Sequence, residues 1–429
     1  MSEPLPIEVD VLVVGAGQAG LGAAYWLTRQ PGLRVLVLDR ASVGQSWLNR
    51  WDSLVLFTPR RFSSLRGLRF PAGPTRCPTR VEMADYLRTY VEHHGLPVCI
   101  GVDVQRLTPA GDGFIVETSA WSMVASQVVV ATGPFHRRHV PATAADLSPE
   151  VFQLHSYDYR SPADVPPGDV LVVGGGNSAA QLAVKLSDTH RVTVAAPRDP
   201  WYLPVSLLGV DLYWWSYLTG LVNADRDSRA SRYVRRRGDA IVGSRLRVLA
   251  RSGRIRVLPH RVVGAEGDAV HLADGSAVTT PTVLWCTGFR PDTSWIDVPG
   301  AVDDDDSPVH TAGASPVPGL HWMGLPWQTR LSSSIIDGVD RDARAVAHRV
   351  QGTLAEPKPA VSSSRTPPSR LAAETPTVSA STAARPRLTR RPVCHSTSLD
   401  ANTRPRRWSR VSACSIEVSS RGCQASHPG

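Results

Sequence analysis

Two stretches of this chain share one pattern of apolar and polar positions. The first begins with the apolar run Val9–Val14, broken only by Asp10, which predicts a buried strand. A glycine-rich turn follows at 15–20, then a helix-like 21–29, then a second apolar run at 34–38 that ends in Asp39 and Arg40. About 160 residues later the pattern returns: a strand over 169–173, Gly174-Gly175-Gly176-Asn177-Ser178-Ala179, a helix over 180–186, and a strand over 191–196 that runs into Pro197 and Arg198. Beyond each unit, short β-rich runs flank Asp112-Gly113 and Asp274-Gly275, which read as hairpin turns. Each series closes on an apolar run into Thr-Gly, at Thr132-Gly133 and at Thr287-Gly288. Thr79-Arg80-Val81-Glu82 spells a capping box for a helix over 81–94, stopped by Gly95. A helix over 340–350 follows. This alternation predicts an α/β protein.

The turns carry the chemistry. In Gly15-Ala16-Gly17-Gln18-Ala19-Gly20, the first glycine permits the tight turn and the second lets backbone approach a pyrophosphate. The third allows helix and strand to pack closely. The helix start then faces the phosphates, and Asp39, with Arg40 beside it, stands 19 residues after Gly20 to accept hydrogen bonds from ribose hydroxyls. In the second turn Gly174, Gly176, Asn177, Ser178 and Ala179 occupy the matching places, but Arg198 stands where an acid would be. A cation there suits a 2′-phosphate, so NADPH rather than NADH is expected. The alternative is that Arg198 is a solvated loop arginine and Asp199 meets the ribose. Two such turns imply two dinucleotides on two domains.

Charge changes this picture only at one end. Of 47 basic and 38 acidic residues, 12 and 4 fall in residues 351–429, which leaves 35 and 34 in the rest. Of the net charge of +9, +8 therefore falls in the last segment, and the body gives no reason to expect nucleic acid. Those 79 residues hold 14 Ser, 9 Pro and 8 Thr with no sustained periodicity, a composition that reads as a disordered tail. A basic arm for an acidic partner is one alternative. A shifted reading frame of a GC-rich gene, in keeping with 45 Arg against 2 Lys, is the other.

None of the six cysteines forms a C-x-x-C pair, so neither a zinc ribbon nor a dithiol redox centre is expected. The N-terminal residues carry Glu3 and Glu8 rather than a basic flank and apolar core, which does not read as a signal peptide. The apolar stretch 201–221 contains Pro204, Gly209 and Asp211, and predicts a buried or cleft-lining helix rather than a membrane span. A cytoplasmic protein without stable membrane insertion is the expectation.

With these residues in view, the chain resembles flavin-containing monooxygenases, class B flavoproteins with two dinucleotide-binding domains. The matching stretches beyond the turns are Gly44-Gln45-Ser46-Trp47 with Arg50-Trp51-Asp52-Ser53-Leu54, Leu56-Phe57-Thr58-Pro59, and His155-Ser156-Tyr157-Asp158-Tyr159-Arg160. Thr287-Gly288-Phe289-Arg290-Pro291-Asp292 and Gly324-Leu325-Pro326-Trp327-Gln328 complete the set. The resemblance covers residues 7–350. It implies two Rossmann-like domains, with an NADP-binding domain (161–283) inserted in an FAD-binding domain (1–160 and 284–350), followed by the disordered tail 351–429. It implies FAD at the first turn with Asp39, Ser46, Trp47, Arg50 and Thr132-Gly133, and NADPH at the second with Arg198 and Thr287-Gly288. His155 at the domain interface and Thr58 near flavin and nicotinamide are the candidate catalytic residues. The family's linker signature keeps His155 and Tyr159 here but has Pro149 and Val151 in place of Phe and Gly. Cys286 replaces an alanine and reads as a packed core thiol. Trp214, Trp215 and Tyr217 line a substrate cleft or belong to the core.

The implied activity is oxygenation of a small organic substrate (amine, sulfide or carbonyl) by O2 and NADPH through a flavin hydroperoxide. The alternatives are an NADPH-dependent flavin oxidase that releases peroxide, and a catalytically impaired flavin-binding protein. No metal is implied.

Overall fold

The computed structural model describes residues 7–238 and 240–355. The expectations for 356–429 lie outside the described residues. The body is built on two main sheets, the first part parallel and part antiparallel, the second parallel throughout.

The first sheet orders six strands as β3-β2-β1-β6-β5-β4: β1 (Ile7–Val14), β2 (Val35–Asp39), β3 (Val98–Ile100), β4 (Val104–Ala110), β5 (Gly113–Thr118) and β6 (Ser122–Val130). β1 pairs in parallel with β2 and β6, while β4, β5 and β6 form the hairpins expected around Asp112-Gly113. The far half of β6 also pairs in parallel with Leu320–Trp322. Val11, Leu12, Val13 and Val128 are all completely buried, as an apolar run without alternation requires. One face packs on α1 (Gln18–Leu27), the helix Arg80–His94 and the final helix Val339–Ala355; Trp322, Ile296 and Val298 cover the other. The helix Arg80–His94 opens on the capping box, with the Glu82 carboxylate accepting from Thr79 N–H at 2.8 Å, and stops at Gly95.

The second sheet is wholly parallel, in the order Ile255–Leu258, Arg191–Ala195, Asp169–Val173, Thr282–Trp285, Phe152–His155. A three-stranded antiparallel meander, Val262–Glu266, Ala269–Leu272 and Ala277–Thr279, precedes its strand Thr282–Trp285. That strand lies between Asp169–Val173 and Phe152–His155, so the second sheet draws on chain either side of 161–283. Residues 284–285 and 152–155 belong with it rather than with the first sheet. The final helix likewise runs to Ala355, past the boundary placed at 350.

The stretch 201–221 is a correction. It folds as the hairpin Ser206–Leu207 with Val210–Asp211 and the short helix Leu212–Leu218, not as one helix. Leu208 at φ 52° and Gly209 at φ 75° make the turn that interrupts it. Among the described residues no helix is long and apolar enough to cross a membrane.

Candidate active site

The two glycine turns are built alike. β1 delivers the chain into Gly15 at φ 109°, where a Cβ would stand 2.6 Å from the Ala131 carbonyl oxygen. Gly17 precedes α1 in extended backbone, and nothing lies within 4 Å of its would-be Cβ. That opening lets a phosphate reach the backbone N–H groups of the helix start. A Cβ on Gly20 would fall 1.8 Å from the Gly15 carbonyl oxygen, so this residue sets how closely helix and turn pack. In the second turn Gly174 adopts φ 150°, its would-be Cβ 2.4 Å from the Cys286 carbonyl oxygen. Gly176 is open like Gly17, and Ala179 is buried at the third position. Thus Ala131-Thr132-Gly133 runs against the first turn as Cys286-Thr287-Gly288 runs against the second. Gln18, Ala19 and Ser178 fall in the first turns of the two helices, beside these openings.

The residues after the second strand of each unit differ. Asp39 clamps its turn: one carboxylate oxygen accepts from Ala16 N–H at 2.7 Å and the other from Ala41 N–H at 2.8 Å. Each oxygen keeps a lone pair for a sugar hydroxyl. Arg40 reaches His136 Nδ1 at 3.2 Å, whose Nε2 donates to the Thr132 carbonyl at 2.7 Å. Arg198 instead lies exposed, giving one N–H to the Arg236 carbonyl at 2.6 Å. Its remaining donors lie at the arginine-rich end of the helix Arg229–Arg237. Asn177 is tied into structure: its amide donates to the Ala240 carbonyl at 2.8 Å and accepts from Val242 N–H at 2.9 Å. Its side chain is spent on the 240–242 segment, and only its backbone faces the opening.

The two candidate catalytic residues have different partners. His155 ends its strand almost fully buried, with Nε2 donating to the Gly288 carbonyl at 3.2 Å and Nδ1 accepting from Tyr157 N–H at 3.2 Å. Burial lowers its pKa, and the neutral ring has both nitrogens engaged with backbone. These bonds tie His155 to the Thr287-Gly288 turn. Thr58 is buried with its hydroxyl 3.4 Å from the Tyr213 hydroxyl, which joins loop 55–60 to the helix Leu212–Leu218.

Arg50 lies against the Phe135 ring at 4.4 Å and the Phe289 ring at 5.2 Å, residues that follow the two Thr-Gly segments. Burial pulls its guanidinium down to about 10, and among the described residues no carboxylate pairs with it. A half-buried cation against aromatic faces, with no carboxylate partner among the described residues, is suited to an anionic group. Ser46 is exposed, whereas Trp47 packs against the cores of both sheets and Trp51 is buried with Tyr159 in the second. Cys286 is half-buried against the core of the second sheet, and desolvation raises its thiol to about 12. Trp214 and Tyr217 pack on Phe62, at 5.2 and 4.9 Å. Sequence reasoning missed Tyr213, Phe62 and the role of Asn177, because each depends on a partner many residues away; the aromatic density of 213–217 was the one local signal.

A family described as pyridine nucleotide-disulphide oxidoreductase matches residues 12–211. A CzcO-like oxidoreductase of Geobacillus kaustophilus is 40% identical over 78% of this chain and 96% of its own. The CzcO oxidoreductase of Bacillus subtilis is 34% identical over 80% of this chain and 99% of its own. Among solved structures, a flavin-containing monooxygenase from Stenotrophomonas maltophilia matches with TM-score 0.69 and 30% identity, covering 81% of this chain and all of that one.

Proposed function

The chain belongs to the flavin-containing monooxygenase-like family of flavoproteins with two dinucleotide-binding domains, and from that premise we propose that it oxygenates a small organic substrate with O2 and NADPH. It is a flavin-dependent oxidoreductase whose cofactors are FAD and NADPH. The observation that carries the reading is the repeated turn: two openings at Gly17 and Gly176, each backed by a Thr-Gly segment.

The residues fit these groups. Gly15–Gly20, Asp39, Arg40, Ser46, Trp47 and Thr132-Gly133 would hold FAD. Gly174, Gly176–Ala179, Arg198 and Thr287-Gly288 would hold NADPH. When bound, these two groups would supply hydride transfer and the activation of O2 for insertion of one oxygen atom into the substrate, with water as co-product. The chain orients the two nucleotides and excludes water. Asp39 holds the first turn open; His155, neutral and spent on backbone, holds the Thr287-Gly288 segment; Arg50 offers positive charge between the two Thr-Gly termini. Thr58 and Tyr213 close one side of the substrate space. Amines, sulfides and carbonyls are the substrate class, and the cytoplasm the location.

Purified protein should be yellow and should bleach on anaerobic addition of NADPH; protein free of flavin would refute the reading. Peroxide formed one for one with NADPH across amines, sulfides and ketones would mark an oxidase instead. Flavin bound but not bleached would mark an impaired binding protein. Disulfide reduction lacks its C-x-x-C pair.

A further inference from the structure

The stretch 201–221 leaves apolar side chains uncovered. The hairpin Ser206–Leu207 with Val210–Asp211 turns at Leu208, the most exposed large apolar residue among those described, at 85%. Leu218, on the helix that follows, is next at 73%. Leu207, Val210, Trp214 and Leu221 are exposed in the same stretch, and no other stretch of this length among the described residues exposes as many. Single exposed leucines need no explanation, but a cluster of them does.

The cluster stands on ordered structure. Leu212 N–H donates to the Val205 carbonyl at 3.1 Å and Trp215 Nε1–H to the Leu207 carbonyl at 3.0 Å, which locks the hairpin to the helix Leu212–Leu218. Asp211 caps that helix by accepting from Tyr213 N–H at 2.9 Å, and is itself paired with Arg76. Tyr213 and Tyr217, one turn apart, stack on Phe62 at 5.6 and 4.9 Å. Trp214 and Leu218, also one turn apart, remain exposed on the adjoining face.

Charge decides what can cover this surface. Residues 201–256 hold eleven arginines against four aspartates, although the body to residue 350 is close to balanced. Within 201–221 the one charged residue is Asp211, neutralised by Arg76. Exposed arginines border its rings: Arg61 lies over Trp214 at 4.9 Å and Arg247 over Tyr202 at 5.9 Å. A second copy of the chain would set arginine against arginine. Projecting leucines bordered by cations fit instead a deformable apolar layer beneath a negative surface.

We propose that this hairpin and helix dock the enzyme on the surface of an anionic lipid bilayer. Leu208 and Leu218 enter the acyl boundary, Trp214 sits at headgroup level, and the arginines meet lipid phosphates. With seven residues the helix is far too short to cross, so the protein lies on the bilayer.

Flotation of the full-length, FAD-loaded protein with vesicles tests this, comparing phosphatidylcholine alone with its equal mixture with phosphatidylglycerol. Wild type should bind the mixed vesicles about tenfold more tightly than the neutral ones. Brominated phosphatidylcholine in the mixture should quench its tryptophan fluorescence. Leu208→Asp and Leu218→Asp, made separately, should each weaken binding about fivefold and reduce the quenching. Their flavin content and their NADPH oxidation without vesicles should stay within error of wild type. Both variants keep the basic residues 351–429, so binding that rests on those alone would persist in them. Wild type that ignores the mixed vesicles, binds neutral ones equally or shows no quenching would overturn the assignment, as would undiminished binding by the two variants. The substitutions fall on different elements, and wild-type quenching is read even if one variant fails to fold.

Discussion

The first and second glycine turns share strand, opening, helix and Thr-Gly backing, and they part company at the end of the following strand. There the first unit places an acid that grips its own turn through two backbone N–H groups. The second places an exposed arginine held by one carbonyl, while Asn177 takes over the bracing from inside the helix. The acid braces the first turn directly and, in the proposed reading, also meets the ribose. In the second turn Asn177 does the bracing, which leaves position 198 for the proposed contact with a 2′-phosphate. Similar backbone geometry thus serves two nucleotides by changing who braces the loop.

The largest effects should come from the glycines. Gly15→Ala forces a Cβ against the Ala131 carbonyl at a backbone angle hostile to side chains, and should abolish flavin binding, read from absorbance. Gly174→Ala makes the matching clash with Cys286. It should keep the flavin but lose its bleaching by NADPH. Loss of flavin in the second variant would break the division between the turns.

The units also differ in their buried histidines. His321, on the strand beside β6, has Nε2 bonded to the Gln127 amide oxygen at 2.8 Å, Nδ1 without a partner, and a pKa pulled down to about 4 by burial. A histidine lowered in the folded state stabilises fully above its unfolded pKa of about 6.5. That contribution is lost as pH falls toward 4, up to roughly 3 kcal/mol. His321→Gln should flatten the acid limb of a Tm-against-pH curve; an unchanged limb would show that charging His321 does not drive acid unfolding.

Next is cofactor choice. Arg198→Ala should raise KM for NADPH about thirtyfold, roughly 2 kcal/mol for a lost charged hydrogen bond, and leave NADH within twofold. Equal effects on both would return Arg198 to a solvated loop residue. The smallest effect should follow truncation after Ala355: flavin content and NADPH oxidation should stay within error of the full chain. Measurable loss would give residues 356–429 a part in the reaction.

Much of this was legible because it is local. Both turns, their strands and the capping box at Thr79 are written in neighbouring residues, and the repeated Thr-Gly termini betray the duplication. What the chain order hid depends on distant partners. Asn177 meets residues 240–242, His155 meets Gly288, and the apolar run 201–221 breaks into a hairpin and short helix at Leu208-Gly209. The inserted sheet also recruits Phe152–His155, which pairing decides and composition does not.

The fate of oxygen tests the central claim most directly. Wild-type enzyme is given NADPH, isotopically labelled O2 and a panel of amines, sulfides and ketones. The account predicts one labelled atom in the organic product for each NADPH oxidised; unlabelled product, with peroxide equal to the NADPH consumed, would contradict it.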